Sequence, residues 1–333
     1  MAKKLNILMT CIGRRVGLME AFRRAMAALK IRGRILGADW SPLAAGLVMA
    51  DEGFLVPGVD SPGYAQAILD ICRRRDVGLV VPLIDWELHS LSEARERFAE
   101  AGTRMLVSSP RVVDICRDKR KTFEFLSSRR VGTPRVLEYR EALRGPFPVM
   151  VKDRYGSSTR NVSVAQSAAE LRRTFQGDEK MFIQEYVNGP EYTVDVYAGL
   201  DGVPRVAVPR RRLQVRAGEV AKAVTVRHAK IIRQAMRVVT LLEECVGVIT
   251  IQCRVTRGGE VKFFDLNPRF GGGVPLAIRA GADFPKWILQ EHFGRRPRID
   301  PKRWTSGLVM LRYDAEVFLH EDELPRGKWP AEP

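Results

Sequence analysis

Through the first third of the chain, short apolar runs alternate with stretches whose apolar residues recur three and four positions apart. Runs at 5–9, 34–38, 53–56, 78–82 and 104–107 read as strands, and 16–29, 64–74 and 88–99 as helices. Alternating β and α elements of this size predict an open parallel sheet, with the loops at the carboxyl ends of its strands facing a ligand crevice. Three of those loops are polar and tight, at 10–15, 39–42 and 82–87. The first, Cys11-Ile12-Gly13-Arg14-Arg15-Val16-Gly17, opens a helix without the glycine spacing of a dinucleotide fingerprint. Asp39, at the end of the second strand, stands where an acid would bind a ribose or cap whatever follows.

Around 109–118 the pattern changes. Ser109-Pro110 starts a helix, and a second over 119–130 closes at Gly132-Thr133-Pro134. After Pro148 the chain is β-rich, with strands at 149–152, 162–165, 180–187, 192–198 and 206–209. A helix over 229–245 follows, then strands at 248–255 and 261–266 joined by the turn Arg257-Gly258-Gly259-Glu260. This order is α+β, and the polar, Pro-rich end after Asp314 reads as surface. No internal repeat or low-complexity segment interrupts it.

Composition narrows the class. With 333 residues, 45% of them hydrophobic, the chain can bury a substantial core. It has no signal-peptide hydrophobic region and no run of about 18 apolar residues, so a soluble, cytoplasmic protein without membrane contacts is expected. The 5 cysteines are odd in number, scattered and never in C-x-x-C spacing, which predicts reduced core thiols and not a disulfide framework or thiolate zinc site. A net charge of +16 raises the question of nucleic acid. The basic pairs and triplets, from Arg14-Arg15 to Arg295-Arg296, are spread along the whole chain, and no zinc-finger, RNP or helix-turn-helix signature accompanies them. A solvated, arginine-rich surface is the simpler reading.

Several chemistries are excluded by absence. There is no P-loop, H-E-x-x-H or G-x-S-x-G motif, and the 4 histidines are not spaced as metal ligands. Three segments remain that together suit a nucleoside triphosphate. The apolar strand ending Val151-Lys152-Asp153 runs into the small-residue hairpin 155–162, including Ser157 and Ser158, where an ammonium, hydroxyls and backbone N–H groups can meet phosphate oxygens. With 13 lysines against 42 arginines, a lysine closing that strand is the less expected residue by composition, although a strand-end charge beside a hairpin has the same pattern. The segment 181–193 carries Glu185 and Val187, whose backbone is placed to meet an adenine edge, and Glu191, placed to accept ribose hydroxyls; an ordinary hairpin again has this pattern. In the third, Asp265 and Asn267 lie two apart on one strand and face one side, and Gln252 on the neighbouring strand can join them. These hard oxygen donors suit Mg²⁺. Arg269 and the run Gly271-Gly272-Gly273 follow.

These segments, from about residue 118 to 280, resemble an ATP-grasp domain, and most closely ATP-grasp proteins related to the large subunit of carbamoyl-phosphate synthase. The start of the helix at Asp118-Lys119, the Lys152 strand and its hairpin, Glu185 to Glu191, and Gln252 with Asp265-Leu266-Asn267-Pro268-Arg269 stand in that family's order. The resemblance implies a pre-ATP-grasp parallel α/β domain over 1–113, an ATP-grasp α+β fold over 114–310 with a lid subdomain at about 118–190 and a metal and catalytic subdomain at about 191–310, and a tail over 311–333. It also implies roles. Lys119, Lys152, Ser157 and Ser158 would bind phosphates, Glu185 and Val187 adenine, and Glu191 ribose. Gln252, Asp265 and Asn267 would hold Mg²⁺, for which Mn²⁺ can substitute, and Arg269 would stabilise the transferred phosphoryl group. Asp265 stands where the family commonly has Glu, so a second, bridging ion would be held less well. The segment 210–222 resembles the family's mobile loop over the γ-phosphate and offers Arg212 and Lys222, with a solvated basic hairpin as the alternative.

The function implied is an ATP-dependent ligase that phosphorylates a carboxylate and passes the acyl group to an amine, releasing ADP and phosphate. Its partners would be a small carboxylate and amine, with a homodimer allowed and nucleic acid not expected. Phosphorylation of bicarbonate or carbamate ranks lower, because the synthase runs its two phosphorylations in duplicated halves and 333 residues hold one unit. A non-catalytic nucleotide- or nucleic-acid-binding module is the alternative from another class.

Overall fold

The structure, a computed structural model, describes residues 3–155, 162–175, 177, 180–216 and 218–325. The first region runs β1 (Asn6–Thr10), α1 (Val16–Ala28), β2 (Ile35–Asp39), α2 (Ala45–Met49), β3 (Glu52–Leu55), α3 (Tyr64–Arg75), β4 (Val77–Pro82), α4 (Asp85–Glu100) and β5 (Arg104–Met105). Its strands form a parallel sheet in the order β3-β2-β1-β4-β5. Parallel strands are covered on both faces, and the alternation of side chains divides them between two cores. Leu8, Leu36 and Val80 pack with Tyr64 and Ile68 of α3 and Leu88 and Leu91 of α4. Ile7, Met9 and Val81 pack with Phe22 of α1, and that core continues into the second region through Tyr197, Val208, Phe270 and Phe284.

Next come α5 (Pro110–Arg117), α6 (Lys119–Ser128), β6 (Val136–Leu137), α7 (Tyr139–Arg144), β7 (Val149–Asp153), β8 (Ser163–Ala165), α8 (Ala168–Thr174) and β9 (Met181–Glu185). The four strands pair antiparallel as β6-β9-β7-β8, and Ala142 of α7 and Leu171 of α8 pack with Val149, Val151 and Ile183. The remainder is β10 (Glu191–Ala198), β11 (Pro204–Arg216), β12 (Glu219–Thr225), α9 (Ala229–Leu242), β13 (Gly247–Val255), β14 (Val261–Asn267), α10 (Val274–Arg279), α11 (Phe284–His292) and β15 (Val309–Leu311). These strands form an antiparallel sheet ordered β14-β13-β10-β11-β12-β15. One face is covered by α9 through Ile231, Ala235, Val238 and Leu242, and by α5 and α6 through Val112, Cys116, Phe125 and Leu126.

The parallel α/β and α+β organisation expected from the pattern is present, and all five cysteines are free and buried. Several local readings are corrected. Half of the polar loop expected at 82–87 is helix: Glu87 Oε1 accepts from the N–H groups of Leu83 and Ile84 at 2.8 and 3.1 Å, and α4 starts at Asp85. Asp39 is not a helix cap. Its carboxylate accepts from Gly13 N–H at 2.8 Å and Ser41 N–H at 3.1 Å, and α2 begins only at Ala45. The helix expected over 229–245 stops at Leu242, where Glu243 and Glu244 take positive φ angles of 56° and 44°. Of the two readings of 210–222, a mobile loop or a basic hairpin, the described residues take the second, in the hairpin of β11 and β12. Leu311, expected to open the tail, pairs in β15 with Lys222. Helices α2, α7, α8, α10 and α11 were not foreseen. Among the described residues no helix is long and apolar enough to cross a membrane.

Candidate functional site

A cleft of ≈ 230 Å³ opens between the four-stranded and six-stranded sheets. Strand period two aims its first residue. In β7, Val149 and Val151 turn into the core shared with α7 and α8, so Met150 and Lys152 face the cleft. Lys152 is 6% exposed, its ammonium 5.2 Å from the ring centre of Phe182 and 5.3 Å from that of Phe264. Burial pushes its pKa down to about 8; Asp265 and Glu191 pull it up, while Lys119 and Arg254 push it down.

A β-bulge shapes the opposite wall. Gln252 lies opposite Asp265 and Cys253 opposite Phe263, so Phe264 is the extra residue of β14. Both Phe264 and Asp265 therefore line the cleft, while Phe263 and Leu266 remain in the core. Asn267 Nδ2 donates to Asp265 Oδ2 at 2.8 Å, confirming that the two side chains share a side. Glu191, at the start of β10, is held by Arg212 at 3.0 Å and Arg254 at 2.9 Å. Glu185 is held by both oxygens on Lys262 Nζ, at 2.8 and 2.9 Å.

The structure thus brings Lys119, Lys152, Glu185, Val187, Glu191, Arg212, Gln252 and Asp265 to one cleft, with Asn267 hydrogen-bonded to Asp265. Not every expected residue is there. The Glu185 N–H is already donated to Arg135 C=O at 2.8 Å, so it is unavailable to a base; the Val187 carbonyl likewise accepts from Arg254. Lys222 is exposed on β12 and does not line the cleft. Arg269 turns toward the first region, where its Nε donates to Asp85 Oδ2 at 3.1 Å, and touches Asn267 Oδ1 at 3.4 Å. Ser157 and Ser158 lie outside the described residues. Arg254, Lys262, Phe264 and Asp85 were missed. Period two from Gln252 would have found Arg254, whereas Lys262 and Phe264 are displaced from that count by the bulge.

A family model for the PylC-like N-terminal domain matches residues 7–106, and one described as ATP-grasp in the biosynthetic pathway with Ter operon matches residues 177–315. Residues 177–315 match an ATP-grasp domain. The chain is 28% identical over 162 residues to a carbamoyl-phosphate synthase of Methanobrevibacter smithii, a match that spans 46% of this chain and 42% of that relative. The biotin carboxylase domain dimer of Hydrogenobacter thermophilus 2-oxoglutarate carboxylase, solved with MgADP, ADP and bicarbonate, superposes with a TM-score of 0.71 at 16% identity, covering 91% of this chain and 73% of that one. L-amino acid ligase of Bacillus licheniformis gives 0.67 at 16% identity, covering 88% and 75%. N5-carboxyaminoimidazole ribonucleotide synthetase of Thermotoga maritima gives 0.65 at 18% identity, covering 90% and 78%. At these identities the structures establish the fold, and the ATP-grasp resemblance and fold class read from the sequence are borne out.

On this ATP-grasp fold the donor set decides which metal fits. Among the described residues no group of three His, Cys, Asp or Glu side chains could hold an ion. Asp265 supplies one buried carboxylate, and Gln252 and Asn267 neutral amide oxygens. That set fits a Mg²⁺ which draws its remaining ligands from phosphate and water.

Proposed function

We propose that this chain is an ATP- and Mg²⁺-dependent carboxylate–amine ligase releasing ADP and phosphate. The observation that carries the reading is the juxtaposition across one cleft of the buried Lys152 ammonium and the Gln252–Asp265–Asn267 donors. In this reading Lys119 and Lys152 bind phosphates, with Ser157 and Ser158 as further phosphate ligands. The Glu185 carbonyl and Val187 N–H meet adenine. Glu191, oriented by Arg212 and Arg254, accepts the ribose hydroxyls. Gln252, Asp265 and Asn267 hold Mg²⁺, which neutralises charge on the transferring oxygens when bound. Arg269 stands beyond Asn267, at the side of the parallel-sheet domain, and stabilises the transferred phosphoryl group; Arg212 adds positive charge over the cleft.

The γ-phosphoryl passes to a carboxylate oxygen, the β–γ bridging oxygen leaves with ADP, and the amine nitrogen attacks the acyl carbon as phosphate departs. The protein supplies position and charge and no nucleophile. The same cleft would serve bicarbonate or carbamate as acceptor, a reading favoured by the carbamoyl-phosphate synthase relative, although this chain matches under half of that protein. A homodimer is supported by the dimeric biotin carboxylase neighbour.

The test is incubation with ATP, Mg²⁺ and a panel of carboxylates, including bicarbonate, in the presence of hydroxylamine. ADP, phosphate and a trapped hydroxamate are expected for the accepted acid. AMP with pyrophosphate, or ADP without a trappable acyl group for any accepted acid, would overturn the ligase reading.

A further inference from the structure

The amino ends of the five parallel strands lie at one edge of their sheet, opposite the edge where Asp85, just after β4, meets Arg269. Basic residues that are scattered along the sequence gather at this amino edge. Lys4 bridges to Arg32, joining the entry of β1 to the turn between α1 and β2, and lies 3.8 Å from Asp76 at the entry of β4. The end of α11 belongs to the same edge: Lys3 Nζ is 4.6 Å from the ring centre of Phe293, and a Cβ on Gly78 would lie 3.7 Å from His292 Nε2. The segments that enter the strands, 3–5, 29–34, 50–52, 73–76 and 99–104, together with 292–296, hold eleven lysines and arginines against four acids. At the opposite edge, the segments that leave the strands, 11–15, 40–44, 56–63 and 83–87, hold two arginines against three acids.

Local pairing does not consume this charge. Glu52 is shared by Arg34 at 3.1 Å and Arg75 at 2.7 Å, and Asp51 pairs with Arg23 at 2.7 Å. Among the described residues, Lys30 and Arg32 after α1, Arg73 and Arg74 at the end of α3, Arg104 of β5, and Arg295 and Arg296 after α11 make no ion pair, and all seven are exposed. Four helices, α1, α3, α4 and α11, end at this edge, and their dipoles together amount to about two negative charges, too few to account for seven cations.

The chemistry of the edge selects among polyanions. None of the large apolar side chains left exposed among the described residues falls in these segments, so the edge offers neither an anchor for a lipid core nor a ring on which a base could stack. Four strand spacings of about 4.8 Å make it about 19 Å across from β3 to β5, a length over which a duplex carries about eleven phosphate charges.

We propose that the amino edge of the parallel sheet binds the phosphodiester backbone of a nucleic-acid duplex without reading its bases. The unpaired guanidinium and ammonium groups meet phosphate oxygens, and the release of counterions drives association. No residue of these segments lines the nucleotide cleft, so a bound duplex leaves that cleft open, and the inference does not rest on the ligase reading.

The test is fluorescence anisotropy of RNA and DNA duplexes of about 20 base pairs and arbitrary sequence, titrated with the protein at about 50 to 200 mM salt. The logarithm of the affinity should fall against that of salt with a slope of about −4 to −6, the release from about five to seven phosphates. The tighter of the two duplexes identifies the backbone recognised. Arg73→Gln with Arg74→Gln, and separately Arg295→Gln with Arg296→Gln, should each make the slope shallower by about 2. The two pairs lie on different elements, so misfolding of one variant leaves the other to decide. Arg172→Gln with Arg173→Gln, exposed on α8, should change neither slope nor affinity. No binding at the lowest salt, an equal effect of the α8 pair, unchanged slopes in both edge variants, displacement by Mg²⁺-AMPPNP, or tighter binding to phosphatidylserine vesicles than to either duplex would overturn the proposal.

Discussion

Lys152 is buried in the cleft wall with two aromatic rings near its ammonium, and its pKa of about 8 lies below the ordinary lysine value of 10.5. Between those two values the unfolded chain holds the proton that the folded protein has released. The stability of the nucleotide-free protein should therefore rise with pH across that window. Polyphosphate acts in the opposite direction, because an anion against the ammonium favours its charged form. Nucleotide binding should then take up protons near pH 8, and affinity should fall as pH rises through it. Calorimetry of AMPPNP binding in buffers of different ionisation enthalpy measures this. A Lys152→Met variant should lose about ten- to a hundredfold in affinity together with the pH dependence. A flat profile in the parent protein would remove Lys152 from the phosphate site. Asp265 divides binding from chemistry: Asp265→Asn should lower turnover by about a hundredfold or more, the several kcal/mol of charge neutralisation at the transferring phosphoryl group, with a much smaller effect on nucleotide affinity. Equal losses in the two measurements would contradict that role. Lys152 and Asp265 were legible because each interrupts an apolar strand with a polar side chain facing away from the core. Arg15 was legible only as one of many basic pairs, since its ion pair with Glu219 and its place against Gly272 are made with residues more than two hundred positions away along the chain.

Elements with strong local periodicity were legible nearly to their ends, as α1, α3 and the strands of the parallel sheet show. Those set by distant contacts were not. The short helices α7 and α8 acquire their apolar faces from packing on the four-stranded sheet, and the bulge in β14 is visible only in the pairing with β13. Helix α4 illustrates a boundary governed by one side chain. Glu87, fully buried, accepts from the Leu83 and Ile84 amides and from the Tyr64 hydroxyl at 2.6 Å, which fixes the turn between β4 and α4 and ties α3 to it. Replacing it by Ala leaves two backbone donors without that acceptor and the Tyr64 hydroxyl with the weaker partner Cys11 Sγ, at 3.4 Å. Chemical denaturation of Glu87→Ala should show a loss of about 3 kcal/mol, and Tyr64→Phe a loss of about 1 kcal/mol. A Glu87→Ala variant as stable as the parent would mean that water or a shifted backbone satisfies those donors equally well.

At the scale of the molecule, the parallel sheet and the six-stranded sheet share a core, with Phe22 of α1 edge-on to Phe270 at 5.9 Å between ring centres. Beside that apolar contact runs a polar one. Asp85, the first residue of α4, accepts from Arg269, and Arg269 in turn touches Asn267, the neighbour of Asp265. Both ends of the Asp85–Arg269 pair are mostly buried, with side chains 13% and 11% exposed. Removing either partner strands the other charge, whereas removing both leaves a smaller defect. A double-mutant cycle of Asp85→Ala and Arg269→Ala in unfolding free energy should therefore give a coupling of about 1–3 kcal/mol. Asp85→Ala should also lower turnover while leaving AMPPNP affinity close to that of the parent, because the nucleotide cleft is built from other residues and the loss falls on how Arg269 is aimed. Additive stability effects would show that the pair does not join the two regions. Intact turnover in Asp85→Ala would show that Arg269 finds its position without help from the parallel-sheet region.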